Sequence, residues 1–279
     1  MILSSPHVHT QFCDGKSTAE EMVQAALANG CQSLGFSSHA RQHFSIGFPT
    51  SVEKEQQYIA EIHRLQRAYA DRIRIWLGCE LDMFACNDTS PFDYLIGSVH
   101  FLPSEKGFVA VDGKPEPLQD FLIEEYHGDG LALARDYYTA YAALMRCRRP
   151  EIGGHFDIVR KSNHLLHMFD ETAAQYRKHV QRALDAAMEV GTLLEVNTGG
   201  MARYNAPMPY PDRWILERWR DMGGQVILSS DCHYAPLLLS HYSEVIRLLL
   251  DIGYKTVKAL GTGEEMFVDT ELELLQISL

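Results

Sequence analysis

The sequence predicts an α/β fold in a single domain, a TIM-like barrel rather than a pair of open sheets, on three observations. Short apolar runs alternate with amphipathic helical stretches along almost the whole chain. No Gly/Ser-rich linker divides residues 1–279, which are therefore read as one domain. Seven or eight strand–helix units over this length fit a ring of strands better than two separate sheets. Hydrophobic residues at 46% and charged residues at 22% supply a sizeable core and argue against disorder.

The elements follow in order. The apolar run ahead of His7 is the first strand. Ser17-Thr18-Ala19-Glu20-Glu21 opens a helix whose early acids face the positive end of the helix dipole, and Gly30 stops it. Cys31 to Ser37 is the second strand, leading to His39. Ile59, Ile62, Leu65 and Tyr69 recur at helical spacing within 52–70. Arg72 to Cys79 and Asp93 to Val99 are the third and fourth strands, and helical character returns over 118–145. Residues 101–130 form the longest insertion, expected as a loop on the site face. A short strand through Ile152-Gly153-Gly154 precedes a helix near 171–190, closed by Gly191, and a strand from Thr192 to Val196. Pro207, Pro209 and Pro211 mark a loop before a helix at 212–222. Gln225 to Ser229 is the seventh strand, followed by a helical run over 236–252 and by the segment 255–260.

Charge narrows the function classes. Lys plus Arg is 25 against 37 for Asp plus Glu, a formal net charge of -12. That balance repels long nucleic acid and anionic membranes, while leaving room for a small anion held by local cations. No stretch approaches 18 apolar residues, and no secretory leader precedes the first strand, so a cytoplasmic protein without a membrane partner is expected. Cysteines at 13, 31, 79, 86, 147 and 232 form no Cys-x-x-Cys pair and are expected reduced, mostly packed as small apolar side chains.

The 13 histidines carry the functional signal. His7 and His9 end the first strand, with Asp14 in the loop just after it. His39 ends the second strand, Glu80 the third, His100 the fourth and His155 the fifth, while Asp231 and His233 end the seventh. Parallel strands bring all these ends to one rim, where α/β barrels build their sites. His-x-His on a strand sends both imidazoles to one face, and Asp231-Cys232-His233 repeats that geometry. Imidazole and carboxylate together suit zinc, iron or manganese, and so many ligands exceed one coordination sphere. Two to three divalent transition-metal ions are therefore expected. Singly, each histidine is better explained as a packed or hydrogen-bonded side chain; their convergence is not. His63, His164, His167, His179 and His241 fall on helical or loop stretches and are read as packing or solvated, and His43 and His127 are not assigned to the site.

These motifs resemble a known family. His7-Val8-His9-Thr10 with Asp14-Gly15, Gly35-Phe36-Ser37-Ser38-His39-Ala40, Gly78-Cys79-Glu80, Ser98-Val99-His100, Gly154-His155-Phe156-Asp157 and Ser230-Asp231-Cys232-His233 look like those of the PHP (polymerase and histidinol phosphatase) family. Length and the Glu195-Val196-Asn197-Thr198 strand make the chain most similar to its monofunctional histidinol-phosphatase branch. The resemblance implies a distorted (β/α)7 barrel, a trinuclear metal site at the strand C-termini, and hydrolysis of L-histidinol phosphate in histidine biosynthesis. It implies His7, His9, Glu80 and Asp231 around a first ion, with Glu80 bridging to a second held by His100 and His155. Asp14, His39 and His233 would take the third, and a metal-bound hydroxide with Glu80 and Asp231 would be the catalytic centre. Two departures, Ser38 where the family commonly has Asp and Cys232 where it often has Ala, remove no ligand. Arg160 and Arg203 follow strand ends and are candidates to grip a substrate phosphate through their planar guanidinium fork. A PHP-type phosphodiesterase or nucleotide phosphatase, and a non-catalytic metal-binding regulatory domain, are the competing readings.

Overall fold

The computed structural model describes residues 1–44 and 51–278. Helix α1 (Ala19–Ala28) begins on Thr18, whose side chain accepts from the Glu21 amide while Glu21 reaches back to the Thr18 amide, a reciprocal capping box. Strand β1 (Ser33–His39), helix α2 (Val52–Ala68), strand β2 (Arg74–Leu81) and strand β3 (Tyr94–Gly97) follow as the periodicity predicts. The segment expected as a loop is instead built. Strands β4 (Phe101–Ser104) and β5 (Gly107–Ala110) form an antiparallel hairpin there, and the helical character expected over 118–145 is present as α3 (Pro115–Tyr126) and α4 (Gly130–Arg148). Then come β6 (Ile152–Gly153), α5 (Val159–Leu166), α6 (Ala174–Val190), β7 (Leu193–Asn197), α7 (Gly199–Tyr204) and α8 (Arg213–Asp221). Strand β8 (Val226–Ser229), α9 (Tyr242–Ile252), β9 (Thr256–Leu260), β10 (Phe267–Glu271) and α10 (Leu272–Ser278) end the described chain.

Eight strands make one sheet in the order β1-β2-β3-β6-β7-β8-β9-β10, parallel throughout except for the antiparallel β9–β10 pair. β1, β7 and β8 are buried along their whole length; β7 and β8 are accordingly mostly apolar, whereas β1 buries Ser33, Ser37, Ser38 and His39 as well. Alternation sorts β2: Ile75 and Leu77 join the helix-facing core, while Trp76 joins Tyr94, Ile96, Ile152, Leu193, Ile227 and Leu260. That second cluster draws its buried residues from strands alone.

The first expected strand is not a regular strand. Pro6 has no amide to donate, and side chains replace ladder partners: Ser37 Oγ accepts from the Val8 amide and Gln32 from the Leu3 amide. The segment still lies extended between β1 and the turn after β8. Gly35 and Ser37 amides donate to Ser5 and Val8 carbonyls, and the His9 amide donates to the Cys232 carbonyl at 2.8 Å. No described helix is long and apolar enough to cross a membrane. All six cysteines are free, four of them buried.

Candidate metal centre

Six of the expected ligands sit at or just past the C-terminal end of a parallel strand, and His7, His9 and Asp14 come from the extended N-terminal segment and the turn after it, which lies alongside β1 and the turn after β8. His39 is the last residue of β1 and Glu80 the next to last of β2, paired in register. His100, His155 and Asp231 lie just beyond β3, β6 and β8. Val8 is fully buried in the core, so the alternation of the extended segment turns His7 and His9 together toward the cluster, with Nε2 atoms 3.0 Å apart. Asp231 has a left-handed backbone, φ 44°, an uncommon state for a residue with a side chain. Gly199 makes room for it: a Cβ there would lie 3.1 Å from Asp231 Oδ2.

Glu80 is the hub. Its Oε2 lies 3.3 Å from His7 Nε2, 3.3 Å from His9 Nε2 and 2.9 Å from His39 Nδ1. Its Oε1 lies 3.3 Å from His100 Nε2 and 3.0 Å from His155 Nε2, and those two nitrogens are 3.2 Å apart. Asp231 Oδ1 stands 3.6 Å from His7 Nε2 and 3.4 Å from His9 Nε2. At the open edge, Asp14 meets His39 at 3.5 Å and His233 at 3.2 Å. The structure thus brings together all nine side chains named from the sequence: His7, His9, Asp14, His39, Glu80, His100, His155, Asp231 and His233. His9 stands close to Asp14, His39 and His233 as well, so it belongs to two of the groupings.

The donor set fits divalent cations. Three overlapping groups, His9–Asp14–His39–His233, His7–His9–Glu80 and His39–Glu80–His100, each hold ligand atoms within 4.8 Å of one another. His7 Nδ1 lies 2.6 Å from Glu195 Oε1, which fixes the ring and leaves Nε2 as the atom facing the cluster. Burial works against charge on His7, but the Glu195, Glu80 and Asp231 carboxylates outweigh it and raise its pKa to about 10. Burial prevails at His39, which is pushed down to about 4. Burial likewise opposes the charge of Glu80, but His7, His39 and His100 hold its carboxyl well below the usual range.

Sequence reasoning missed two supporting carboxylates. Glu195 is fully buried; besides His7 it accepts from the His155 amide at 2.5 Å, Ser229 Oγ at 2.6 Å and Asn197 Nδ2 at 3.0 Å. Asp82 accepts from the His100 amide at 2.7 Å. The signal was present in both cases: Glu80-Leu81-Asp82 and Glu195-Val196-Asn197 place polar pairs two apart on otherwise apolar strands, hence on one face.

The two arginines part company. Arg203 lines the cavity over the cluster; it donates to Asp231 Oδ2 at 2.7 Å and lies 2.8 Å from His233 Nδ1. Arg160 is not among the residues lining the cavity. It is buried and held by Asp157 at 3.0 Å, Glu171 at 2.7 Å and Asp212 at 2.7 Å, a complete set of carboxylate partners. The cavity is about 210 Å³, walled by the 101–113 segment, α7 and the start of α5. That volume admits a small metabolite and no nucleic-acid duplex.

The chain is similar to known proteins over most of its length. A "Probable histidinol-phosphatase" from Deinococcus radiodurans is 30% identical over 266 residues, covering 91% of this chain and 95% of that one. The histidinol-phosphatase of Bacillus subtilis is 26% identical over 258 residues, covering 82% and 92%. The crystal structure of a histidinol phosphate phosphatase from Lactococcus lactis, complexed with zinc, L-histidinol and phosphate, superposes with a TM-score of 0.70 at 21% identity, covering 93% of this chain and 97% of that one. The PHP domain matches residues 5–199, so the chain belongs to the PHP domain family.

Proposed function

We propose that this protein is a metal-dependent phosphomonoesterase that hydrolyses L-histidinol phosphate to L-histidinol and phosphate, a step of histidine biosynthesis. The observation that carries the reading is the histidine–carboxylate cluster with Arg203 at its edge, opening into a cavity of small-metabolite size. The named substrate of the relatives, and the L-histidinol and phosphate in the Lactococcus lactis structure, support the choice of ester.

His7, His9, Asp14, His39, Glu80, His100, His155, Asp231 and His233 would hold two to three divalent ions such as zinc, iron or manganese. When bound, such ions polarise phosphoryl oxygens and bring the pKa of water toward neutrality. The chain's own residues do the rest. Glu195 and Asp82 orient the histidines; Arg203 presents a planar donor fork to the phosphate. Water adds to phosphorus as the bond to the alcohol oxygen breaks, and the proton lost by water replaces phosphorus on the departing oxygen. Arg160 positions α5 and the Asp212 cap of α8 rather than meeting the phosphate. The strand-only core supports a sheet curled into a distorted barrel, with the Leu3–His9 segment joining β1 to the end of β8.

The test is phosphate release from L-histidinol phosphate beside a panel of nucleotide monoesters and diesters, with manganese, zinc, iron or cobalt supplied. Strong preference for L-histidinol phosphate is expected. Equal or faster turnover of a diester would replace this reading with the phosphodiesterase one.

A further inference from the structure

Three of the carboxylates lining the cavity, Asp14, Glu80 and Asp231, belong to the histidine cluster, whereas Asp112 stands apart on the turn after β5. Its backbone is pinned from both sides. The Val111 amide donates to the His100 carbonyl at 2.8 Å, Ser162 Oγ donates to the Val111 carbonyl at 2.9 Å, and Lys161 Nζ donates to the Asp112 carbonyl itself. That ammonium lies 4.2 Å from the centre of the Tyr204 ring and forms no ion pair with the Asp112 carboxylate. The carboxylate has no side-chain partner among the described residues, and its charge is felt by Arg203 and His100 across the cavity.

A bare carboxylate in a cavity built for a phosphate dianion repels its own substrate. The arrangement makes sense when the substrate carries a cation a few bonds from the phosphate. We infer that Asp112 is a specificity-determining residue that receives the aliphatic ammonium group of an amino-alcohol phosphate and rejects phosphomonoesters lacking one. An aliphatic amine is fully charged at neutral pH while an imidazole is largely neutral, so the ammonium is the group that gains most from this carboxylate. Phe101, Tyr204 and Tyr210 line the same cavity and give it apolar surface for the remainder of the substrate. The inference rests on the phosphatase reading and deepens it.

The experiment compares wild type and Asp112→Asn on three esters: L-histidinol phosphate, its desamino analogue 3-(imidazol-4-yl)propyl phosphate, and p-nitrophenyl phosphate. For the variant, kcat/KM on L-histidinol phosphate should fall about 10- to 100-fold, mainly through KM, while the two amine-free esters are turned over as well as before or better. Wild type should already disfavour the desamino analogue by a similar factor, a comparison that needs no substitution. Equal treatment of the amine-bearing and desamino esters by wild type, or a uniform loss on all three esters in the variant, overturns the role of Asp112. Wild-type protein inert toward L-histidinol phosphate but active on p-nitrophenyl phosphate overturns the proposed substrate, and this inference with it.

Discussion

Glu80 and Glu195 illustrate how one residue type takes two roles according to what its oxygens face. Both Glu80 oxygens point at ring nitrogens from five histidines, so Glu80→Gln replaces a shared anion by a neutral amide at the centre of the cluster. Activity should drop at least 100-fold with the fold intact, as judged by phosphate release and circular dichroism. Near wild-type turnover would show that Glu80 is no bridge. Glu195 instead acts through His7 and His155, and Glu195→Gln should weaken metal affinity on the order of 10- to 100-fold, read by competition with a chromogenic chelator. The arginines give a sharper contrast. Arg203→Ala should lower kcat/KM about 10- to 100-fold, with metal content measured alongside because the guanidinium also touches Asp231 and His233. Arg160→Ala strands the buried Asp157 and two further acids, so it should cost about 3–5 kcal/mol of stability in urea titrations, with KM little changed once folded. A raised KM at full stability would return Arg160 to the phosphate.

At the scale of elements, what the sequence makes legible follows from how local the cause is. The capping box at Thr18 is written in four consecutive residues, and the helix begins where it predicts. Thr18→Ala should cost about 1 kcal/mol, seen as a lower urea midpoint at unchanged slope; no shift would mean the cap is redundant with tertiary packing. The ligands were legible for a similar reason, because strands that share a direction place their ends together whatever the helices between them do. The β4–β5 hairpin was not. Pro103 within a strand and the charged Glu105-Lys106 tip resemble an irregular loop, and the pairing is settled by packing against α3 and α4. Helix α7 begins on Gly199-Gly200, poor helix formers tolerated because Asp231 and the Tyr210 ring press against them. Asp112 went unnoticed because nothing in Val111-Asp112-Gly113 separates a site carboxylate from an ordinary turn.

The whole molecule is organised around the cluster. The histidine and carboxylate ligands come from the N-terminal segment, from β1 and β2, and from the loops following β3, β6 and β8, so bound ions would tie together parts of the chain that are remote in sequence. Glu80, Asp231 and Glu195 crowd buried carboxylates into one region beside His7 and Arg203, a concentration of negative charge that favours cations. Ions that bind the folded chain and not the unfolded one stabilise it by about 4 kcal/mol at a thousandfold excess over Kd. For a chain of this size that corresponds to a rise in melting midpoint on the order of 10 °C. Dialysis against a strong chelator should therefore abolish activity and lower the midpoint together, and readdition of zinc or manganese should restore both. The titration should saturate at more than one equivalent per chain, since the donor groups exceed a single coordination sphere. A midpoint indifferent to chelation would show that the ligands are held by packing and hydrogen bonds alone. Saturation at one equivalent would reduce the cluster to a mononuclear site, with Glu80 serving one ion instead of joining two.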